Sequence, residues 1–324
     1  MHFNDFFLEP LKKISFKLKL AKEKRWYFGN DISLTPDADP FEIFRGKILS
    51  ASPVMIARFG STELTCVLAY ILSRANRSYF KKAIEYIHGE IPAFWFGHKN
   101  RTEICANSGF FPNDKKLIIR FSERMLSDAK EMDVLLTWLN GEKYTFPFLS
   151  PSCKIISLWA IEPFFQDKPW TMCLAGMKVL VIHPYSKTIE KQYRNRHNIF
   201  PTKQVLPEMD LKTFKAVQTI ENNKAPYDNW FHALSDMEQQ IEQIDFDIAL
   251  IGAGAYGLSL AAHIKRMGKK AIHVGGSLQL YFGILGLRWE NMPHFKEIFN
   301  EHWVRPLPEE HPADYKKMEG GAYW

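Results

Sequence analysis

Apolar and basic residues interleave from Phe6 to Tyr27. Leu11, Ile14 and Leu18 recur at helical spacing, while Lys12, Lys13, Lys17 and Lys19 take much of the remaining surface. The pattern predicts a basic amphipathic helix. Two placements suit it: flat on an anionic membrane surface through residues 6–27, or with its apolar stripe packed on the main domain. Residues 31–40 (DISLTPDADP) are turn-rich and read as a linker. Residues 1–40 are therefore expected to form an N-terminal arm and linker.

Beyond Phe41 short apolar runs alternate with longer segments of helical period. Val54–Arg58, bounded by Pro53 and Gly60, reads as a strand, and Thr62–Arg74 as a helix with Leu64, Val67, Leu68 and Ile71 on one face. Tyr79–Leu149 reads as mainly helical, with loops at Gly97–Thr102 and Asn107–Asn113. Lys178–His183 is a buried-type strand, followed by a polar helix over Lys187–Arg196 and a short strand at Val217–Ile220. A helix over Asp228–Ile244, capped by Asp228, precedes a strand at Phe246–Ile251, a glycine turn and a helix to Met267. A strand at Lys270–Val274 and a helix over Leu278–Ile284 follow. This alternation predicts an α/β fold: a Rossmann-like, doubly wound, mostly parallel sheet spanning residues 41–305. Residues 306–324, rich in Pro, Glu and Gly, are expected to form an irregular tail, with Tyr323 and Trp324 packing back onto the domain.

With 46% hydrophobic residues in 324, the chain can bury a sizeable core. Its net charge of +6 points to an anionic partner. Nucleic acid is not expected, because the basic residues do not cluster beyond the N-terminus and no recognition motif appears. Cys66, Cys105, Cys153 and Cys173 form no CxxC pair, which argues for reduced thiols rather than a zinc or redox site. No run of about 18 apolar residues is present, so no spanning helix is expected. The basic N-terminal segment lacks the apolar stretch of a leader peptide. The expected location is the cytoplasm, peripheral on the inner face of the membrane.

Candidate chemistry collects at strand ends, the default ligand position in such a sheet. Gly252, Gly254, Tyr256 and Gly257 belong to a G-x-G-x-x-G at a strand-to-helix junction, the context of a dinucleotide fingerprint. The acidic residue that would hold a ribose after the next strand is absent, since His273, Val274, Gly275 and Gly276 stand there. The glycines then serve either a phosphate cradle or close helix–strand packing. Gly275, Gly276 and Ser277 make a second glycine turn, with Gln279, Arg288 and Trp289 close behind; Arg288 would pair with phosphate and Trp289 stack on a base. His183 and Ser186 follow a third strand. Arg58, Gly60, Ser61 and Glu63 form a fourth strand end, where an Arg closes an apolar strand and a carboxylate enters the first helical turn. A structural Arg–Glu pair is the alternative there.

The Arg58-Phe59-Gly60-x-x-Glu63 turn resembles the RFGDGE-type element of bacterial glycosyltransferases of the GT-D fold. The second half is similar to a group of uncharacterised bacterial proteins encoded near surface-polysaccharide genes. The stretches that carry this are HPYSKTIEKQY, VLPEMDLKTFKAVQT, FDIALIGAGAYGLSLAAHIKRMGKKAIHVGGSLQLYFGILGLRW and the terminal GGAYW. The resemblance implies transfer of a sugar from a nucleotide-sugar donor to a glycan or lipid-linked glycan acceptor. Glu63 would act as general base or hold Mn²⁺ or Mg²⁺, although Ser61 stands where the family has an aspartate. The glycine turns would hold the diphosphate, Arg58 or Arg288 the leaving phosphate, and Asn107 and Ser108 would line the acceptor side. Two other readings stay open: an NAD(P)-dependent oxidoreductase built on GAGAYG, and a non-catalytic nucleotide-binding scaffold of polysaccharide assembly.

Overall fold

The computed structural model describes residues 3–20, 39–219 and 226–312. Seven strands form one sheet: β1 (Val54–Ala57), β2 (Val134–Thr137), β3 (Lys154–Ser157), β4 (Lys178–His183), β5 (Asp210–Lys215), β6 (Ile248–Ile251) and β7 (Lys270–His273). Their order is β3-β2-β1-β7-β6-β4-β5 and every pairing is parallel, so the fold is α/β and Rossmann-like. A parallel sheet must be covered on both faces, and successive side chains supply the two cores. Met55, Ala57, Leu135, Leu180 and Ile182 enter one core; Val54, Ile56, Val134, Val179 and Val181 enter the other.

The helices among the described residues are α1 (Phe3–Lys17), α2 (Pro40–Ile48), α3 (Ser61–Arg74), α4 (Tyr79–Ile87), α5 (His98–Ser108), α6 (Lys115–Ala129), α7 (Ser186–Arg194), α8 (Arg196–Ile199), α9 (Trp230–Glu242), α10 (Gly257–Arg266), α11 (Leu278–Tyr281), α12 (Leu287–Glu290) and α13 (Pro293–Lys296). Residues of α3, α6, α9 and α10 fill the first core; α2, α7 and α11 contribute to the second. There Trp170, from a 3-10 turn, stacks on Phe44 at 4.5 Å. The domain begins at α2, whose cap Asp39 accepts from the Phe41 amide at 2.9 Å. The expected linker and the distal half of the arm, residues 21–38, lie outside the described residues.

Several boundaries differ from the sequence pattern. The region expected to be mainly helical contains β2, a buried four-residue strand. Three apolar residues and a threonine are too short a run to separate a strand from a helical segment by periodicity. β3 is missed for the same reason. The loop expected at Gly97–Thr102 is the start of α5, a polar helix that Gly97 and the left-handed Gly109 bracket. The strand expected at Val217–Ile220 lies instead at β5, an edge strand with only part of its surface covered; Ile220 is outside the described residues. Asn229, not Asp228, caps α9 through the amides of Phe231 and His232.

The tail is not wholly irregular. Pro308–Glu310 forms a 3-10 turn, and Glu310 is buried against the start of α7. Its carboxylate accepts from the Lys187 amide at 2.8 Å, the Thr188 amide at 3.2 Å and the Thr188 hydroxyl. A chain segment more than a hundred residues away thus caps the helix that follows β4. Tyr323 and Trp324 lie outside the described residues. Glu310→Ala leaves buried donors unpaired and is expected to cost about 2 kcal/mol of folding stability. Urea denaturation checks this; an unchanged midpoint would show that the cap contributes nothing.

Candidate functional site

The carboxyl ends of six of the seven strands open into a cavity of about 440 Å³. Arg58 and Gly60 follow β1, Thr137 and Trp138 end or follow β2, and Ser157 and Leu158 end or follow β3. His183 ends β4, Gly252 follows β6, and His273 ends β7. Such a volume lies in the range of small-molecule sites, and the position is where doubly wound sheets bind ligands.

Most residues expected from the sequence meet here. Arg58, Gly60, Ser61, Glu63, Asn107, Ser108, His183, Gly252, Gly254, Gly275, Gly276, Ser277, Gln279 and Arg288 all line the cavity, as does Trp289. Three do not. Ser186 sits at the start of α7, where Glu310 already supplies the anion. Tyr256 is a core residue, stacked on Trp230 at 5.3 Å with its hydroxyl 3.2 Å from that of Thr219. Gly257 lies beneath the His273 ring, where a Cβ would fall 2.3 Å from Nε2.

The glycine fingerprint is thus partly a packing device. A Cβ on Gly252 would fall 2.7 Å from both the Gly275 carbonyl oxygen and the His183 ring. Gly254 has φ +51° and lies against the Ser108 carbonyl, at 2.7 Å by the same measure. Packing explains the spacing of all three glycines, while only Gly252 and Gly254 also face the cavity.

Arg58 organises one wall. Its guanidinium lies 5.0 Å from the Trp138 ring centre and fills the space a side chain at Gly275 would need. Gly275 adopts φ +82°, so glycine suits it twice over. The Arg58 carbonyl accepts from His273 Nδ1 at 3.1 Å, which leaves Nε2 of that ring as an acceptor. Burial, and then the Arg58 charge, hold His273 neutral, its pKa lowered to about 3. His183 is likewise kept neutral by burial, lowered to about 3. Its Nδ1 accepts from the Tyr185 amide at 3.0 Å, so the ring proton resides on Nε2.

Glu63 is buried in the first turn of α3. Its carboxylate accepts from the Thr62 hydroxyl at 3.0 Å, and that hydroxyl makes a short contact with the Ser108 hydroxyl. The carboxylate folds back over Gly60, where a Cβ would fall 2.0 Å from Oε2. The Glu63 carboxylate is thus held by a hydroxyl chain toward α5, and not through the structural Arg58–Glu63 pair that was the alternative reading of this turn.

Two carboxylates that the sequence reasoning missed are buried near Arg58. Glu162 lines the cavity, and its Oε2 has no hydrogen-bond partner among the described residues. Burial pushes its pKa up to about 7, against the opposing pull of the Ser277 hydroxyl and of Arg58. Glu142 lies behind the end of β2; its Oε2 accepts from the amides of Trp138 at 2.8 Å and Leu139 at 3.2 Å. Burial also raises it to about 7. The signal for Glu162 was available: once Lys154–Ser157 is recognised as a strand, Glu162 falls just beyond its carboxyl end. Aromatic groups also line the cavity, among them Trp159 and His294, whose ring centres are 5.4 Å apart.

Among the described residues no three His, Cys, Asp or Glu side chains converge as metal ligands. With Ser61 where the resemblance places an aspartate, Glu63 is the one carboxylate of that turn. Comparisons with protein-family models, with curated proteins and with solved structures found no match in any of the three.

The raised Glu162 carboxyl makes a testable link to stability. The folded chain keeps a proton that the unfolded chain releases between pH about 4.5 and 7, so this group makes stability fall as pH rises through that window. The lowered histidines work oppositely between about pH 3 and 6.5, so the wild-type profile mixes both. Glu162→Gln isolates one group. The variant should gain on wild type by about 3 kcal/mol between pH 4 and pH 8. Denaturant titrations at the two pH values measure this, and a pH-independent difference would contradict the assignment.

Proposed function

We propose that the chain is a glycosyltransferase that moves a sugar from a nucleotide-activated donor to a glycan or lipid-linked acceptor. The observation that carries this reading is the convergence, in one cavity, of Arg58, the glycine turns after β6 and β7, and the buried Glu162, whose Oε2 has no partner among the described residues. The turns offer close backbone approach to a diphosphate, and Arg58 and Arg288 offer positive charge to the departing one.

In the transfer step the acceptor hydroxyl attacks the anomeric carbon, the bond from that carbon to the phosphate oxygen breaks, and the hydroxyl proton passes to a carboxylate. Glu63 and Glu162 both line the cavity. Glu162 is the better base, because a pKa near 7 matches a group that must take up and release a proton at neutral pH. Glu63, tied to Thr62 and through it to Ser108, is suited to orient sugar hydroxyls. His183, neutral with its proton on Nε2, is suited to donate to a phosphate or sugar oxygen.

The oxidoreductase reading is less well supported. The end of β7, beside the fingerprint strand, carries His273, Val274 and Gly275 rather than the carboxylate a ribose would need.

A thermal-shift screen against UDP, GDP, CDP, CMP, UDP-sugars, NAD and NADP, each with and without Mn²⁺ or Mg²⁺, tests the donor. The expected result is stabilisation by one nucleotide, about 2.7 kcal/mol at a hundred times its Kd. Glu162→Gln should keep that shift and lose transfer by at least about 100-fold. A response to NAD or NADP alone would favour the oxidoreductase instead, and full transfer by the variant would remove Glu162 from the reaction.

A further inference from the structure

Helix α1 meets the domain with the wrong face for a packed amphipathic helix. Of its large apolar residues only Leu8 is buried. Its contacts are polar: Asn4 accepts from the Tyr79 hydroxyl at 2.7 Å, Asp5 from Trp95 Nε1 at 2.7 Å, and Glu9 from the Tyr86 hydroxyl at 2.6 Å. Lys12 lies over the Tyr86 ring at 3.9 Å. Phe3, Phe6, Phe7, Leu11, Ile14 and Leu18 are instead exposed, with Phe3 at 67% and Phe6 at 68%. Phe80 at 78% and Ile84 at 55%, one turn apart on the neighbouring α4, extend the apolar surface.

The charges are sorted as well. Both acidic residues of α1, Asp5 and Glu9, are held inward by Trp95, His98, Tyr86 and Lys99. Lys13, Lys17, Lys19 and, on α4, Lys81 are exposed around the apolar arc. Aromatic and aliphatic side chains rimmed by lysines, with the carboxylates withdrawn, complement an anionic lipid surface. A second copy of this face would bring like charges together.

We infer that α1 and α4 form one membrane-docking face for an anionic bilayer leaflet, held in its orientation by the polar contacts of Asn4, Asp5 and Glu9. This face stands apart from the proposed reaction and does not depend on it. No helix among the described residues is long and apolar enough to cross a membrane, so the attachment is by insertion of side chains at the interface.

The test is co-sedimentation of the full chain with vesicles of phosphatidylcholine alone or mixed with phosphatidylglycerol, at low and high salt. Binding is expected to the mixed vesicles and to weaken with salt. Phe6→Ser with Phe7→Ser should lower partitioning at least about tenfold. Phe80→Ser with Ile84→Ser should lower it severalfold with α1 untouched, which separates a shared face from a free peptide. Both pairs are exposed, so the melting temperature should hold. The inference is overturned if the chain ignores phosphatidylglycerol vesicles, if either pair binds as wild type does, or if the chain dimerises in light scattering and Phe6→Ser/Phe7→Ser makes it monomeric.

Discussion

A guanidinium at the carboxyl end of β1 sets the terms for everything around it. β1 lies between β2 and β7, so Arg58 emerges where the loops after all three strands meet. A cation in so enclosed a place requires a polar surround, and the surround is built to it. Trp138 gives an aromatic face, and Gly275 gives up its side chain to make room. Glu142 and Glu162 lie close enough for the charge to oppose the desolvation of their carboxylates. His273, bonded through Nδ1 to the Arg58 carbonyl, is pushed further toward the neutral ring by the same charge. Without Arg58 the two glutamates would be harder still to ionise, and the cavity would lose one of its two lining arginines.

The glycines acquire their meaning from these neighbours. A glycine-rich strand-to-helix turn is usually read as a place for phosphate. Here Gly252 and Gly254 do face the cavity, yet each is also pressed by protein atoms: the Gly275 carbonyl and His183 ring in one case, the Ser108 carbonyl in the other. Gly257 serves the His273 ring alone. The motif therefore brings α5, β4 and β7 close enough for Ser108, His183 and His273 to surround one space. Any phosphate at this turn would meet side chains fixed by the packing that the glycines allow.

The long buried strands and the helices after them were legible because their patterns are long or bounded by glycine. Lys178–His183 is a strand with the bounds read from the sequence, and twelve of the residues read from strand ends line the cavity. What escaped was short or distant. β2 and β3 have four residues each, and without β3 the loop holding Glu162 could not be placed at a strand end. Ser186, read from the same kind of strand end, lies outside the cavity lining, at a helix start that Glu310, far along the chain, caps, a contact that no local pattern announces. Glu63 lines the cavity, but the hydroxyl chain that holds it, through Thr62 to Ser108 on α5, is a tertiary contact that no local pattern announces.

α5 joins the two surfaces that carry most of the unusual chemistry. Its first residue, His98, donates its amide to Asp5 of the arm at 3.2 Å, and its last, Ser108, lines the cavity and touches the Thr62 hydroxyl. Eleven helical residues span about 16 Å. Asp5 lies on the inward face of α1, so a surface resting on the exposed arc of α1 and on α4 would lie one helix thickness, about 10 Å, beyond the His98 end of α5. For the acceptor proposed above, with an apolar anchor in a bilayer and a sugar head outside it, the head would have to reach past α1 and along α5. The polar docking of α1 then has a physical rationale. Burying the apolar arc against the domain would gain stability, but it would turn the lysines and phenylalanines away from the surface that such an acceptor comes from.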